Sequence, residues 1–260
     1  MHGAGNDYIY INTMIYPIQN PKAYAAKWSK QHTGIGSDGL VLIGPSHTAD
    51  FSMRIFNADG SEAMMCGNAS RCIGKYVYEQ KLTTKKQIAL ETLSGIREIQ
   101  ICEINDRVKE VSVNMGKPII EKPFTKIEVG NKMIEGIRVC MGNPHYVIFT
   151  KNIQSIDLST LGPQIENHPI FPDRTNVEFA QILSGNKVRM RVWERGSGIT
   201  QACGTGACAT IVASVYAGKI NPKAIVEMDG GSLIIEWDKQ TSNVWMTGDA
   251  TTVYEGIIEL

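Results

Sequence analysis

Met190-Arg191-Val192-Trp193-Glu194 repeats, 137 residues on, the earlier run Met53-Arg54-Ile55-Phe56-Asn57. The same offset carries Cys66-Gly67 onto Cys203-Gly204, and Asn6 of Gly3-Ala4-Gly5-Asn6 onto Asn143 of Met141-Gly142-Asn143-Pro144. A single two-residue match would be chance. Three in one gap-free register, spread over most of each half, mark a duplicated chain. Local patterns agree with the register. Val188, Met190 and Val192 alternate with Lys187, Arg189 and Arg191, as a half-buried strand requires. Each such strand leads through a glycine-containing turn to Cys-Gly and then to a helical stretch. Cys208, Ile211, Val212, Val215 and Tyr216 fall at helical spacing in the second half, and Ala69, Cys72, Ile73, Tyr76 and Val77 in the first.

Working outward, much of the remainder reads as strand. Glu98–Ile104 and Val108–Met115 predict a hairpin across Asn105-Asp106-Arg107, and Ala224–Met228 with Ser232–Trp237 predict another across Asp229-Gly230-Gly231. A further helix is expected near Lys22–Gln31, after Pro17 to Pro21. The fold class is therefore α+β, with two pseudo-symmetric halves, each a curved, mostly antiparallel sheet or barrel around a central helix. The first half spans 1–115, joined by a C-terminal strand at 249–260, and carries Cys66. The second spans 116–248 and carries Cys203, with the active site expected in the cleft between them.

Charge narrows the function. Lys plus Arg number 26 and Asp plus Glu number 26, so the net charge is zero and no basic excess points to nucleic acid or an anionic membrane. A small-molecule partner is expected. The uncharged run Thr200 to Gly218 approaches spanning length, but its Gly, Thr, Ser and Gln residues favour a buried helix. Six cysteines are too few for a disulfide scaffold, and no signal peptide is evident, so a cytoplasmic protein with reduced thiols is expected.

Cys66 and Cys203 each stand at a strand-to-helix junction, followed by Gly and a small polar residue, Asn68 or Thr205. A helix start offers unpaired N–H groups and partial positive charge, which can lower a thiol pKa and hold an anion. Two such junctions suit proton transfer at a carbon next to a carboxylate. One thiolate removes the α-proton from one face and the other thiol returns a proton to the opposite face. Cys72, Cys102, Cys140 and Cys208 read as small buried hydrophobes. Zinc is not expected, because only Cys203/Cys208 meets a metal-ligand spacing and it lacks a matching pair. Gly34-Ile35-Gly36 and Gly3-Ala4-Gly5 complete no nucleotide-binding pattern and read as turns. His32, His47 and His168 read as surface or structural.

The runs His2-Gly3-Ala4-Gly5-Asn6-Asp7, Phe56-Asn57-Ala58-Asp59-Gly60-Ser61, Cys66-Gly67-Asn68, Gly142-Asn143-Pro144-His145, Arg174-Thr175-Asn176, Trp193-Glu194-Arg195-Gly196 and Ala202-Cys203-Gly204-Thr205-Gly206 resemble, in order, the diaminopimelate epimerase family. The resemblance implies conversion of LL-2,6-diaminopimelate to the meso form, for lysine and cell-wall precursor synthesis, with no cofactor. It implies that Cys66 and Cys203 are the acid–base pair and that the amides of Gly67, Asn68, Gly204 and Thr205 hold the reacting carboxylate. Asn57, Asn143, Asn176 and Arg195 would hold the distal carboxylate, Glu194 the distal ammonium, and Asn6 and His145 would also line the site. For His145 a structural hydrogen bond and direct proton work are both open. A homodimer is implied by the resemblance alone. The sequence departs from the family at its start, where the usual residues before the first His-Gly are absent. Ala69-Ser70 stands where Gly-Ala is usual, and Ile199 where Glu is. Rival readings are a relative acting on lanthionine, proline or hydroxyproline, and a redox sensor joining Cys66 and Cys203 in a reversible disulfide.

Overall fold

Strands carry most of the regular secondary structure in the computed structural model, which describes residues 1–258. Two units emerge, Met1–Val113 with Thr247 onward, and Asn114–Met246. The first contains β1 (His2–Gly3), β2 (Asn6–Asp7), β3 (Ile9–Asn12), α1 (Pro21–Trp28), β4 (Gly39–Gly44), β5 (Phe51–Asn57), β6 (Glu62–Ala63), α2 (Gly67–Glu79), β7 (Gln87–Thr92), β8 (Gly95–Ile104) and β9 (Arg107–Asn114). The second contains β10 (Ile119–Val129), β11 (Lys132–Cys140), β12 (Pro144–Phe149), α3 (Leu158–Glu166), β13 (Asn176–Ser184), β14 (Lys187–Glu194), β15 (Gly198–Thr200), α4 (Gly204–Tyr216), β16 (Lys223–Glu227) and β17 (Ser232–Trp237). β18 (Val244–Gly248) carries the chain back into the first unit.

Strand pairing repeats between the units. In the first, β3 is parallel to β4, β4 antiparallel to β5, β5 parallel to β7 and β7 antiparallel to β8. In the second, β12 is parallel to β13, β13 antiparallel to β14, β14 parallel to β16 and β16 antiparallel to β17. A short strand doubles back in each, β6 on β5 and β15 on β14. Parallel neighbours need a long crossover, which a helix usually supplies. All four α-helices among the described residues serve that purpose, α1 and α2 in the first unit, α3 and α4 in the second. The 137-residue offset maps Gly67–Glu79 onto Gly204–Tyr216 end to end, so the register read from three short matches extends to whole helices.

Period-2 alternation sorts the side chains onto two faces of each sheet. In the second unit Tyr146, Ile148, Val177 and Phe179 pack with Leu158 and Ile165 of α3. The alternate residues face α4, which lies against β11, β12, β13, β14, β16 and β17 as the sheet curves round it. Residues Gly206 to Ser214 of α4 are all buried, as a charge-free helix requires. Tyr216 departs from the expected buried stripe and is exposed, because the helix ends there. In the first unit Leu40, Leu42 and Phe56 pack with Ala25 and Trp28 of α1. On α2, Gly74 admits close packing of β8 and β9, since a Cβ there would lie 2.9 Å from Ile99 and 3.1 Å from Val111.

Both expected hairpins form. Ile104 pairs with Arg107 across Asn105-Asp106, whose positive φ angles of 53° and 61° suit the right-handed twist of a two-residue turn. Glu227 pairs with Ser232 across the Asp229-Gly230-Gly231 turn. Three expectations need correction. The tail from residue 249 forms no strand among the described residues; Thr251 makes one bridge to His2, because β1 is only two residues long and offers no edge to extend along. Cys102 is exposed and Cys140 half-buried, whereas Cys72 and Cys208 are buried. Alternation in β8 turns Ile99 and Ile101 inward and Cys102 outward.

Candidate active site

In the first unit, Cys66 is the N-cap of α2, with extended φ and ψ of −137° and 121°. Gly67 and Asn68 therefore occupy the first turn, where backbone N–H groups have no partner four residues back. The Cys66 thiol donates to Asn6 Oδ1 at 3.4 Å, and Asn68 Nδ2 donates to the same oxygen at 3.3 Å. Asn6 Nδ2 is held by Asp38 Oδ2 at 2.6 Å, which also accepts from the Asp7 amide. Burial pushes the Cys66 thiol up, against the pull of the Ala69 and Asn68 amides and the Arg71 guanidinium. Asn57, at the end of β5, donates from Nδ2 to Ser61 Oγ at 3.0 Å.

The second unit repeats the motif with different neighbours. Cys203 is the N-cap of α4, with Gly204 and Thr205 in the first turn. The Gly206 amide donates to Cys203 Sγ at 3.3 Å, and Thr205 Oγ1 lies 3.6 Å from it. Burial pushes this thiol well above its ordinary range, and the carboxylates of Glu194 and Glu178 push the same way. Glu194 is itself raised by burial, against hydrogen bonds from Thr200 and Cys203. The expectation from helix position, a lowered thiol pKa, is overturned at both sites. Desolvation of a buried thiolate exceeds what a few N–H groups return.

Residues expected around the substrate fall into two kinds. Asn143 donates from Nδ2 to Thr205 Oγ1 at 3.3 Å and accepts at Oδ1 from His145 Nε2 at 3.0 Å. His145 is buried, and its Nδ1 meets Glu178 Oε1 at 2.6 Å. Glu194, expected on the distal ammonium, has its carboxylate on the Thr200 hydroxyl at 2.5 Å and within reach of Cys203. Asn176 braces backbone, accepting from the Arg195 amide at 3.0 Å and donating to Pro144 O at 2.8 Å. Arg195 Nη1 donates to Asp173 O at 2.8 Å. Cys203, Thr205, Asn143, His145 and Glu194 thus form one cluster, while Asn176 and Arg195 form a second, contiguous through Glu194. In the first unit Cys66, Asn6 and Asn68 cluster together.

Four residues that sequence reasoning did not single out support these clusters. Asp38 anchors Asn6. Arg71, buried on α2, donates from Nε to Asp249 O at 3.1 Å, while its two Nη atoms find no partner among the described residues. Gly3 must lack a side chain because a Cβ would sit 2.7 Å from Arg71 Nη2. Glu166 accepts from Arg174, Trp193 Nε1 and the Gly196 amide, at 3.0, 2.6 and 3.0 Å. Glu178 holds His145. A legible signal existed only for Glu178: in Asn176-Val177-Glu178-Phe179, strand alternation puts this charge on the same inward face as Asn176.

The family model for diaminopimelate epimerase matches residues 1–121 and 137–253. Diaminopimelate epimerase of Parabacteroides distasonis is 61% identical over 260 residues, covering 100% of this chain and 97% of that protein. The enzyme of the same name from Phocaeicola vulgatus is 59% identical, with the same coverage. A hydroxyproline epimerase structure from Agrobacterium vitis shares the fold, with a TM-score of 0.66 at 17% identity over 88% of this chain and 78% of its own. No described helix is long and apolar enough to cross a membrane. With a family model matched across nearly its whole length and full-length relatives at this identity, the chain belongs to the diaminopimelate epimerase family.

Proposed function

We propose that this protein epimerises LL-2,6-diaminopimelate to the meso isomer, using Cys66 and Cys203 as a thiolate–thiol pair on opposite faces of one α-carbon. The observation that carries the reading is the repeated N-cap: each thiol caps a helix whose first turn, Gly67-Asn68 or Gly204-Thr205, lacks a helical carbonyl four residues back for its N–H groups. One thiolate takes the α-proton, and the C–H electron pair moves into the substrate carboxylate. Fixed donors stabilise the charge that builds there. The other thiol then delivers its proton to the opposite face, and the two sulfurs end with exchanged protonation states. Since both thiols are held up by burial, a local acceptor helps to ionise the base; Glu194 stands in that position for Cys203.

Asn57, Asn143, Asn176 and Arg195 are proposed to recognise the distal carboxylate. A polar site of this kind rejects substrates lacking the distal groups, because its own donors and acceptors would be left unpaired. We place the enzyme, acting as a homodimer, in the cytoplasm; family resemblance supports this, and sedimentation tests the assembly. The chemistry is tested by incubating reduced protein with LL-diaminopimelate in D₂O without added cofactor and following the α-protons by NMR. Meso isomer should accumulate with deuterium at one α-carbon, and Cys66→Ala and Cys203→Ala should each abolish it. No turnover with folded, reduced protein, with lanthionine also inert, would overturn the reading.

A further inference from the structure

The thiols differ in what lies behind them. Cys66 faces one amide oxygen, whereas Cys203 ends a hydrogen-bonded path that begins at a carboxylate under α4. His145 and Glu178 lie on adjacent parallel strands, β12 and β13, where Val147 pairs with Glu178. Both side chains are fully buried, and Glu178 Oε2 has no partner among the described residues. From Glu178 the path runs to His145 Nδ1 at 2.6 Å, from His145 Nε2 to Asn143 Oδ1 at 3.0 Å, from Asn143 Nδ2 to Thr205 Oγ1 at 3.3 Å, and from Thr205 Oγ1 to Cys203 Sγ at 3.6 Å.

We propose that Glu178 is a positioning residue for Cys203, its carboxylate setting the direction of this path so that the Thr205 hydroxyl donates to the sulfur. This rests on reading Cys203 as an acid–base thiol. A carboxylate only accepts, so His145 Nδ1 carries hydrogen. Asn143 Oδ1 also only accepts, so Nε2 donates as well, and the Asn143 amide is held with Oδ1 toward the ring and Nδ2 toward Thr205. Thr205 Oγ1 then accepts from Asn143, and its own hydrogen is left for sulfur. With a neutral group in place of Glu178 the ring keeps one hydrogen, on Nδ1, and Nε2 presents a lone pair. The Asn143 amide turns over to donate to it, Oδ1 now accepts the Thr205 hydrogen, and the sulfur loses that donor.

The carboxylates facing Cys203 are Glu194 on β14 and Glu178 on β13, and the His145 ring on β12 lies against Glu178. They make the test a matter of sign. Removing the Glu178 charge alone would favour the thiolate, since like charge opposes it. Reversal of the path disfavours the thiolate.

The full chain is alkylated with iodoacetamide across pH, and modification of Cys203 and Cys66 is read separately by peptide mass spectrometry. Glu178→Gln should leave about threefold less reactive Cys203 thiolate at a given pH, with Cys66 unchanged. Thr205→Val should do the same, and the double variant should add nothing further. A more reactive or unchanged Cys203 in Glu178→Gln, or additive effects in the double variant, overturns the proposal. If Glu178→Gln fails to fold, Thr205→Val decides alone: unchanged Cys203 reactivity overturns it. Failure of the acid–base reading shows separately, as epimerisation that persists in Cys203→Ala.

Discussion

Glu166 is the last residue of α3, where the helix dipole disfavours a carboxylate by about 0.3–1 kcal/mol. It stays there buried, accepting from Trp193 Nε1 at 2.6 Å, the Gly196 amide at 3.0 Å and Arg174 Nη1 at 3.0 Å. Those donors bracket Glu194 and Arg195, so one carboxylate fixes both ends of the segment that presents them. Glu166→Ala removes all three bonds. The half-buried indole N–H loses a charged acceptor, worth about 1.5–3 kcal/mol. Gly196 is exposed and water replaces most of its bond, leaving about 0.5–1 kcal/mol. Arg174 is 53% exposed, so that ion pair adds about 0–1 kcal/mol. The expected loss is therefore about 2–4 kcal/mol, weighted to the low end by relief of the dipole. Urea unfolding should show it as a lower midpoint at unchanged slope. Glu166→Gln keeps one acceptor oxygen and should lose about half as much. In the D₂O assay the folded Ala variant should show a raised KM, because Glu194 and Arg195 are no longer held in place. A Glu166→Ala midpoint within about 0.5 kcal/mol of the parent would refute the bracing argument, since that is the effect of an ordinary surface change.

Gly206→Ala should abolish turnover while leaving the protein folded, as checked by circular dichroism, because a Cβ there would lie 2.8 Å from Glu178 Oε1 and 3.1 Å from Cys203 Sγ. Gly162→Ala on α3 should destabilise by about 1–3 kcal/mol in the same urea assay, since its Cβ would enter the Trp193 ring at 2.5 Å. The acid limb of kcat/KM should lie at alkaline pH, because burial raises both thiols and the free enzyme must ionise one of them. The stability sign is the opposite. Folded thiols hold protons that unfolded ones release above about pH 8.5, so stability is fully present below that pH and falls as pH rises through the folded values. Cys203→Ala should flatten that alkaline decline in thermal melts.

Much of the fold was legible because duplication leaves a signal that does not depend on propensity. Matching Cys66-Gly67 to Cys203-Gly204 located both central helices, and alternation at Val188, Met190 and Val192 gave the inward face of β14. The helix-capping cysteines were legible for the same reason. Asp38, Arg71 and Glu166 were not, because each acts through partners far along the chain or at the end of another element, as Asp38 does on Asn6 and Glu166 on Trp193. The duplication gives no help there: the same offset sets Thr175 opposite Asp38, Cys208 opposite Arg71 and Ser29 opposite Glu166.

What the sequence determined by itself was periodic and local: the repeat, the strand faces, the hairpins, and the placing of two thiols at helix starts. These follow from side-chain period and turn chemistry, which a short window contains. Thiol ionisation was decided by the tertiary structure. A helix start alone argues for a lowered pKa, but burial, with Glu194 and Glu178 packed near Cys203, reverses it. Desolvation and charge act through space, and which groups share that space is fixed only when distant strands pair.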